Sequence, residues 1–177
     1  MSSVRIPPTR ASGLAAENVP IDIKTEIGEL ITQWSYVAFQ LGVIVRVGFK
    51  LDKEVGFALL STTNLQPLCG TLRTLAGSRK WVADADLRRK IKLLATDVQA
   101  NKSRRNDFAH GVFGMVEGED GNPILVRYCF KESAQGSPVL EHITIELLRS
   151  LADEAYNFGS RAQDITVELK AYRMLGN

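Results

Sequence analysis

One short stretch of the chain concentrates residue types that can do chemistry. Residues 101–111 read NKSRRNDFAHG and contain Arg105, Asn106 and His110. Arginine binds phosphate through a planar fork of donors, and histidine transfers protons near neutral pH. In a helix, Asn106 and His110 lie about 40° apart on one ridge, whereas Arg105 lies roughly 140° from His110 and reaches back through its length. The three side chains predict a site for an anionic substrate at a helix end, where Gly111 stops the helix.

The same stretch interrupts an apolar stripe. The residues before it recur at helical spacing, and they are Leu87, Ile91, Leu94 and Val98. The same steps lead on to Asn101, Arg105 and Phe108. Burying an unpaired charge costs several kcal/mol, so Arg105 should pair with an acidic side chain, a ligand or a partner subunit. Functional sites tend to lie where a pattern breaks in this way.

The segment Arg105-Asn106-x-x-x-His110 resembles the R-x(4–6)-H motif of the HEPN superfamily, the higher eukaryotes and prokaryotes nucleotide-binding domain. Members of this family often carry a polar residue after the arginine, as Asn106 does here. The continuation His110-Gly111 followed by an apolar residue also resembles many small bacterial HEPN-like proteins. The order of predicted helices agrees with this resemblance over residues 21–169.

The resemblance implies a metal-independent endoribonuclease that acts as a homodimer on RNA, in a toxin, defence or RNA-processing role. By position, Arg105 would bind the scissile phosphate, and His110 of the two subunits would act as base and acid. Asn106 would orient His110 or hold a phosphate oxygen. Lys102 and Arg104 would attract the RNA backbone. No cofactor is implied, the sequence shows no cluster with metal-ligand spacing, and an antitoxin or regulatory protein is a further partner.

Two alternatives use the same residues differently. In the first, the chain is a non-catalytic HEPN-like helical module that binds RNA, a nucleotide or a protein partner. In the second, it is a helical adaptor in which Arg105 is bonded to a buried carboxylate such as Glu29 or Glu154. His110 near a helix C-terminus would then only complement the helix dipole.

Apolar residues at helical spacing predict five helices of unequal length, over residues 20–48, 55–60, 65–77, 85–110 and 144–174. After Gly111 the pattern changes, and turn-forming residues 118–123 separate two apolar runs, which predicts a β-hairpin over about 112–131. The predicted fold is all-α: an up-and-down helical bundle with a β-hairpin inserted before the last helix.

Polar residues at the helix boundaries predict where the helices begin. Asp52 is the expected N-cap of the second helix, and Asp84 or Asp86 that of the fourth. The segment from Thr63 to Gln66 has the spacing of a capping box for the third helix.

Composition sets the remaining expectations. The chain has 177 residues, 45% of them hydrophobic, and a net charge of +2, which excludes a disordered chain and a non-specific nucleic-acid coat protein. We expect one domain over residues 21–177 after a flexible arm over 1–20, with reduced, buried Cys69 and Cys129. The N-terminus has no signal-peptide pattern, and no segment spans a bilayer comfortably, so the expected location is the cytoplasm, away from membranes.

Overall fold

The computed structural model describes residues 19–60, 63–118, 120–129 and 139–174, so the predicted arm lies almost entirely outside the described residues. Within these ranges the chain forms five helices and three strands. The helices are α1 (Ile21–Gly48), α2 (Lys53–Leu60), α3 (Leu65–Gly77), α4 (Ala85–Ala109) and α5 (Ile145–Met174). The strands are β1 (Val112–Glu117), β2 (Pro123–Cys129) and β3 (Val139–His142). The prediction of a helical fold with a β-hairpin inserted before the last helix is confirmed.

Two of the predicted N-caps are present. The Oδ1 atom of Asp52 accepts a hydrogen bond from the backbone N–H of Glu54 at 2.8 Å, at the start of α2. The Oδ1 atom of Asp84 accepts one from the N–H of Leu87 at 2.7 Å, so Asp84 rather than Asp86 caps α4. Each bond satisfies one of the N–H groups that a helix leaves without an internal partner.

The capping box predicted from Thr63 is wrong. The N-cap of α3 is Asn64, and its side chain makes no capping hydrogen bond. Gln66 does not reach back to the cap; its Oε1 accepts a hydrogen bond from Lys102 Nζ at 2.5 Å. Lys102 on α4 therefore occupies the Gln66 oxygen that the capping box would have used.

The predicted hairpin is confirmed over the described residues and is part of a larger sheet. β1 and β2 pair antiparallel from Val112 opposite Tyr128 to Glu117 opposite Pro123. The third strand, β3, pairs antiparallel with β2 and places Glu141 opposite Arg127. The sequence did not predict β3 because four residues are too few for an alternating pattern to show. Residues 130 and 131 of the predicted hairpin lie outside the described residues.

The chain divides into two compact units, and α1, α4 and α5 each contribute a segment to both. The first unit contains the described residues up to Ile31 together with Arg104–Ala152, and so includes the whole sheet. On one face of the sheet Val116, Val126 and Leu140 form a buried apolar cluster. In the same unit Arg149 Nε pairs with Glu26 Oε1 at 2.7 Å.

The second unit, Thr32–Ser103 with Asp153–Asn177, is a bundle of helical segments. Its core contains the buried rings of Trp34 and Phe158, whose centroids lie 5.9 Å apart. Arg173 Nη2 donates to the carbonyl of Trp81 at 3.1 Å. Trp34 is therefore a core residue, which agrees with its place in the apolar stripe of α1.

Of the helices in the described ranges, α1 alone is long and apolar enough to cross a membrane by length and composition. Core helices have the same properties, and Leu41 and Ile44 of α1 are fully buried inside the second unit. A cytoplasmic location stays a prediction.

Candidate functional site

The candidate site is carried by the last turn and a half of α4. This helix continues through Ala109, and the N–H of His110 donates to the carbonyl of Asn106 at 3.0 Å. The backbone is therefore helical up to the histidine, and Asn106 and His110 lie on the same ridge of the helix, as their spacing predicts. Gly111 then leads directly into β1.

Arg105 and Asn106 contact each other through their side chains. Arg105 Nη1 donates to Asn106 Oδ1 at 3.1 Å. Arg105 is half-buried rather than buried, because it lies near the end of the apolar stripe and part of its side chain reaches solvent. The group that accepts this hydrogen bond is an amide and not a carboxylate. The large desolvation cost expected for a buried charge is correspondingly reduced.

The side chain of His110 is exposed. An exposed imidazole can meet a substrate without displacing any part of the fold, which a general acid or base needs. It follows the Arg105–Asn106 pair by one helical turn. The end of α4 therefore presents a cation, an amide and an imidazole on consecutive turns.

The two basic residues predicted to attract RNA are placed differently. Arg104 is exposed on α4. Lys102 is half-buried, and its ammonium group is held by Gln66 Oε1 of α3. A lysine that donates to a neighbouring helix has lost some of the freedom that a phosphate contact requires.

The interruption of the apolar stripe is real. Val98 and Phe108 are buried, with exposed fractions of 0% and 4%, whereas Asn101 and Arg105 between them are half-buried. The Nδ2 group of Asn101 donates to the carbonyl of Asp97 at 3.0 Å, one turn earlier on the same helix. The amide of Asn101 therefore has a hydrogen-bond partner within its own helix. Arg105 is then the one polar residue of the stripe that this local bonding does not explain.

The structure adds a charged residue that the sequence reasoning missed. Arg127, in the middle of β2, is 5% exposed. Its Nη1 lies 3.6 Å from Asp107 Oδ2, its Nη2 donates to Glu141 Oε2, and its Cζ lies 4.9 Å from the centroid of the Phe108 ring. In the sequence, Arg127 is the single charged residue in the apolar run Ile124–Tyr128, and this feature could have identified it.

Other reactive groups are less suited to catalysis. Cys69 is fully buried, and desolvation raises the pKa of its thiol although Arg73 and Lys102 act in the opposite direction. A buried thiol with a raised pKa is a poor nucleophile. Among the residues that the structure describes, no group of three or more His, Cys, Asp and Glu side chains is arranged to hold a metal ion.

Comparisons of the chain with protein-family models, with curated proteins and with solved structures found no match. The assignment of a function therefore depends on the residues of α4 and on the contacts around them.

Proposed function

We propose that the chain is a ribonuclease that cleaves RNA at the end of α4 in a homodimer, with no metal ion in the reaction. The observation that carries this proposal is the exposed imidazole of His110 on the turn after the bonded Arg105–Asn106 pair. These groups supply a proton carrier and a fixed positive charge, which are the functions that phosphodiester cleavage by a 2′-hydroxyl requires.

In the proposed reaction the 2′-oxygen of RNA attacks the neighbouring phosphorus. His110 of one subunit takes the 2′-hydroxyl proton, and His110 of the partner subunit gives a proton to the leaving 5′-oxygen. The bond from phosphorus to O2′ forms as the bond to O5′ breaks, which leaves a 2′,3′-cyclic phosphate and a free 5′-hydroxyl. Arg105 stabilises the charge that develops on the phosphate oxygens. Asn106 holds the Arg105 guanidinium in place for that contact.

Two subunits are required because one imidazole cannot be deprotonated as a base and protonated as an acid at the same moment. The chain has two histidines, and the other, His142, lies exposed at the end of β3 rather than on α4. A second copy of His110 therefore supplies the acid.

The test is cleavage of a 5′-labelled single-stranded RNA of mixed sequence by the purified full-length chain in excess EDTA. We expect His110→Ala to lower kcat by about 10²–10⁴-fold, the usual contribution of general acid–base catalysis. His142→Ala is the matched control and should retain activity. An RNA of the same sequence with 2′-O-methyl groups should remain intact, because it has no nucleophile. Equal background from the wild-type chain and His110→Ala would refute the proposal.

A second candidate function uses the same residues for binding alone. The hydrogen bond from Arg105 to Asn106 favours this binding function, because a guanidinium held in place by an amide can bind a phosphate group whether or not cleavage follows. This module would bind the labelled RNA, with binding weakened by Arg105→Ala and unaffected by His110→Ala. Fluorescence anisotropy of the same oligonucleotide in EDTA distinguishes it from the nuclease.

A further inference from the structure

Among the described residues of the first unit, Arg127 is the most deeply buried charged residue, and the proposed ribonuclease chemistry does not use it. Arg127 is 5% exposed at the centre of β2, between Phe113 on β1 and Glu141 on β3. Charged side chains are almost never buried to this extent unless they are paired. The contacts of Arg127 therefore indicate which elements it holds together.

Two of the contacts of Arg127 lie within the motif itself. They are Asp107, whose Oδ2 lies 3.6 Å from Nη1, and Phe108, whose ring centroid lies 4.9 Å from Cζ. Both are among the three residues between Asn106 and His110. The third contact, Glu141, lies on the opposite side in β3. Arg127 therefore links the last turn of α4 to β3, an edge strand of the sheet.

The junction after the histidine fits closely around the same side chain. A Cβ atom at Gly111 would lie 2.5 Å from the carbonyl oxygen of Asp107 and 3.0 Å from Cδ of Arg127. Real Cβ atoms essentially never come as close as the first distance, so only glycine fits here. The chain on both sides of His110 is thus in contact with Arg127 or with groups that Arg127 holds.

We propose that Arg127 is a positioning residue of the α4 site, which fixes the last helical turn and thereby the direction in which His110 and Asn106 point. This inference deepens the proposed function and depends on it. It also assigns a role to the inserted sheet: the strands carry the arginine that orients the motif helix.

Arginine suits this role in a way that lysine does not. Its planar fork lies beside carboxylates on two elements: Nη2 donates a hydrogen bond to Glu141, and Nη1 makes an ion pair with Asp107 at 3.6 Å. Its Cζ lies 4.9 Å from the centroid of the Phe108 ring. A lysine at the same position keeps the charge but offers a single ammonium on a flexible stem. Arg127→Lys therefore keeps a positive charge beside the two carboxylates and loses the planar fork. Glu141→Gln keeps Arg127 and removes the charge of its partner on β3.

The experiment measures steady-state cleavage of the labelled RNA and the imidazole signals of His110 in a 1H–13C NMR spectrum. His142→Asn, used as the common background, leaves a single histidine to observe. We expect Arg127→Lys to lower kcat about 10–100-fold with KM changed less than about twofold, because misplaced groups react slowly while binding surfaces persist. The His110 signal should shift or broaden. Asp107→Asn and Glu141→Gln each keep Arg127 and remove the charge of one of its two partners, so both should reproduce these effects in weaker form.

Urea unfolding separates positioning from loss of structure. If kcat falls only in proportion to the unfolded fraction, or if the His110 signal of Arg127→Lys matches that of the background protein, Arg127 is structural and the inference fails. Absence of cleavage by the wild-type chain would instead remove the ribonuclease proposal. The NMR comparison would still decide whether Arg127 orients His110.

Discussion

Phe108 is the motif residue whose contribution to stability the structure defines most directly. Its side chain is 4% exposed, its ring centroid lies 5.9 Å from that of Phe113, and Cζ of Arg127 lies 4.9 Å from it. Phe108→Leu keeps most of the apolar bulk and removes both ring interactions. An aromatic pair contributes about 0.5–1.5 kcal/mol, and a desolvated cation–π contact about 2 kcal/mol. We expect the free energy of unfolding to fall by about 2.5–3.5 kcal/mol.

The assay is urea unfolding followed by far-ultraviolet circular dichroism, with the midpoint and the m-value fitted together. Phe113→Leu is the matched control, since it removes the aromatic pair and leaves the contact between Phe108 and Arg127. We expect it to cost about 0.5–1.5 kcal/mol. The double variant should lose less than the sum of the two single losses, because both remove the same ring pair.

Equal losses for Phe108→Leu and Phe113→Leu would show that the Arg127 cation contributes nothing through the Phe108 ring. A loss below about 0.5 kcal/mol for Phe108→Leu would refute the reasoning altogether, since it is the size of an ordinary surface substitution. An altered m-value would mean that the substitution changed the compactness of the folded or the unfolded state, and not a single contact.

Two further predictions concern the helices. Gly159→Ala should destabilise the protein by about 1–3 kcal/mol, because a Cβ there would lie 2.6 Å from the Tyr36 ring. Gly70→Ala, at an exposed position of α3 where a Cβ meets nothing within 4 Å, should stabilise it by about 0.5–1 kcal/mol. Thermal unfolding of both variants checks the sign. The hydrogen bond from the N–H of Glu54 holds the pKa of Asp52 below its ordinary value of 3.8. The ionised Asp52 cap therefore stabilises the folded protein above pH 3.8, and this stabilisation is lost as the pH falls through the lowered pKa. Asp52→Asn keeps the cap without the charge, so its unfolding free energy should depend less on pH in that acidic range; parallel pH dependences would contradict this.

Much of the fold was predictable because its determinants are local. The helical spacing of apolar residues located all five helices, and single residues such as Asp84 and Gly77 marked where two of them begin or end. The capping box at Thr63 failed because Gln66 bonds to Lys102, which is distant in sequence. Local patterns do not register such competition.

The candidate site likewise has a part set by local spacing and a part set by contacts between residues distant in sequence. Arg105 and Asn106 lie on α4 and His110 directly follows its last residue, so their spacing alone placed Asn106 and His110 on one ridge. The contacts of Arg127 with Asp107 and Glu141 join a helix to two strands and depend on the pairing of the sheet. A sequence shows that a charge stands in an apolar strand, but not which distant carboxylates surround it.

The short junction between α4 and β1 has a consequence for motion. Only His110 and Gly111 separate the last helical residue from the first strand residue, and Gly111 has no room for a side chain. The backbone of the histidine is thus tethered on one side to a helix and on the other to a sheet. Whatever binds at His110 meets a residue whose remaining freedom is rotation about its own two side-chain torsions. Little conformational entropy of the backbone is then lost at this residue on binding.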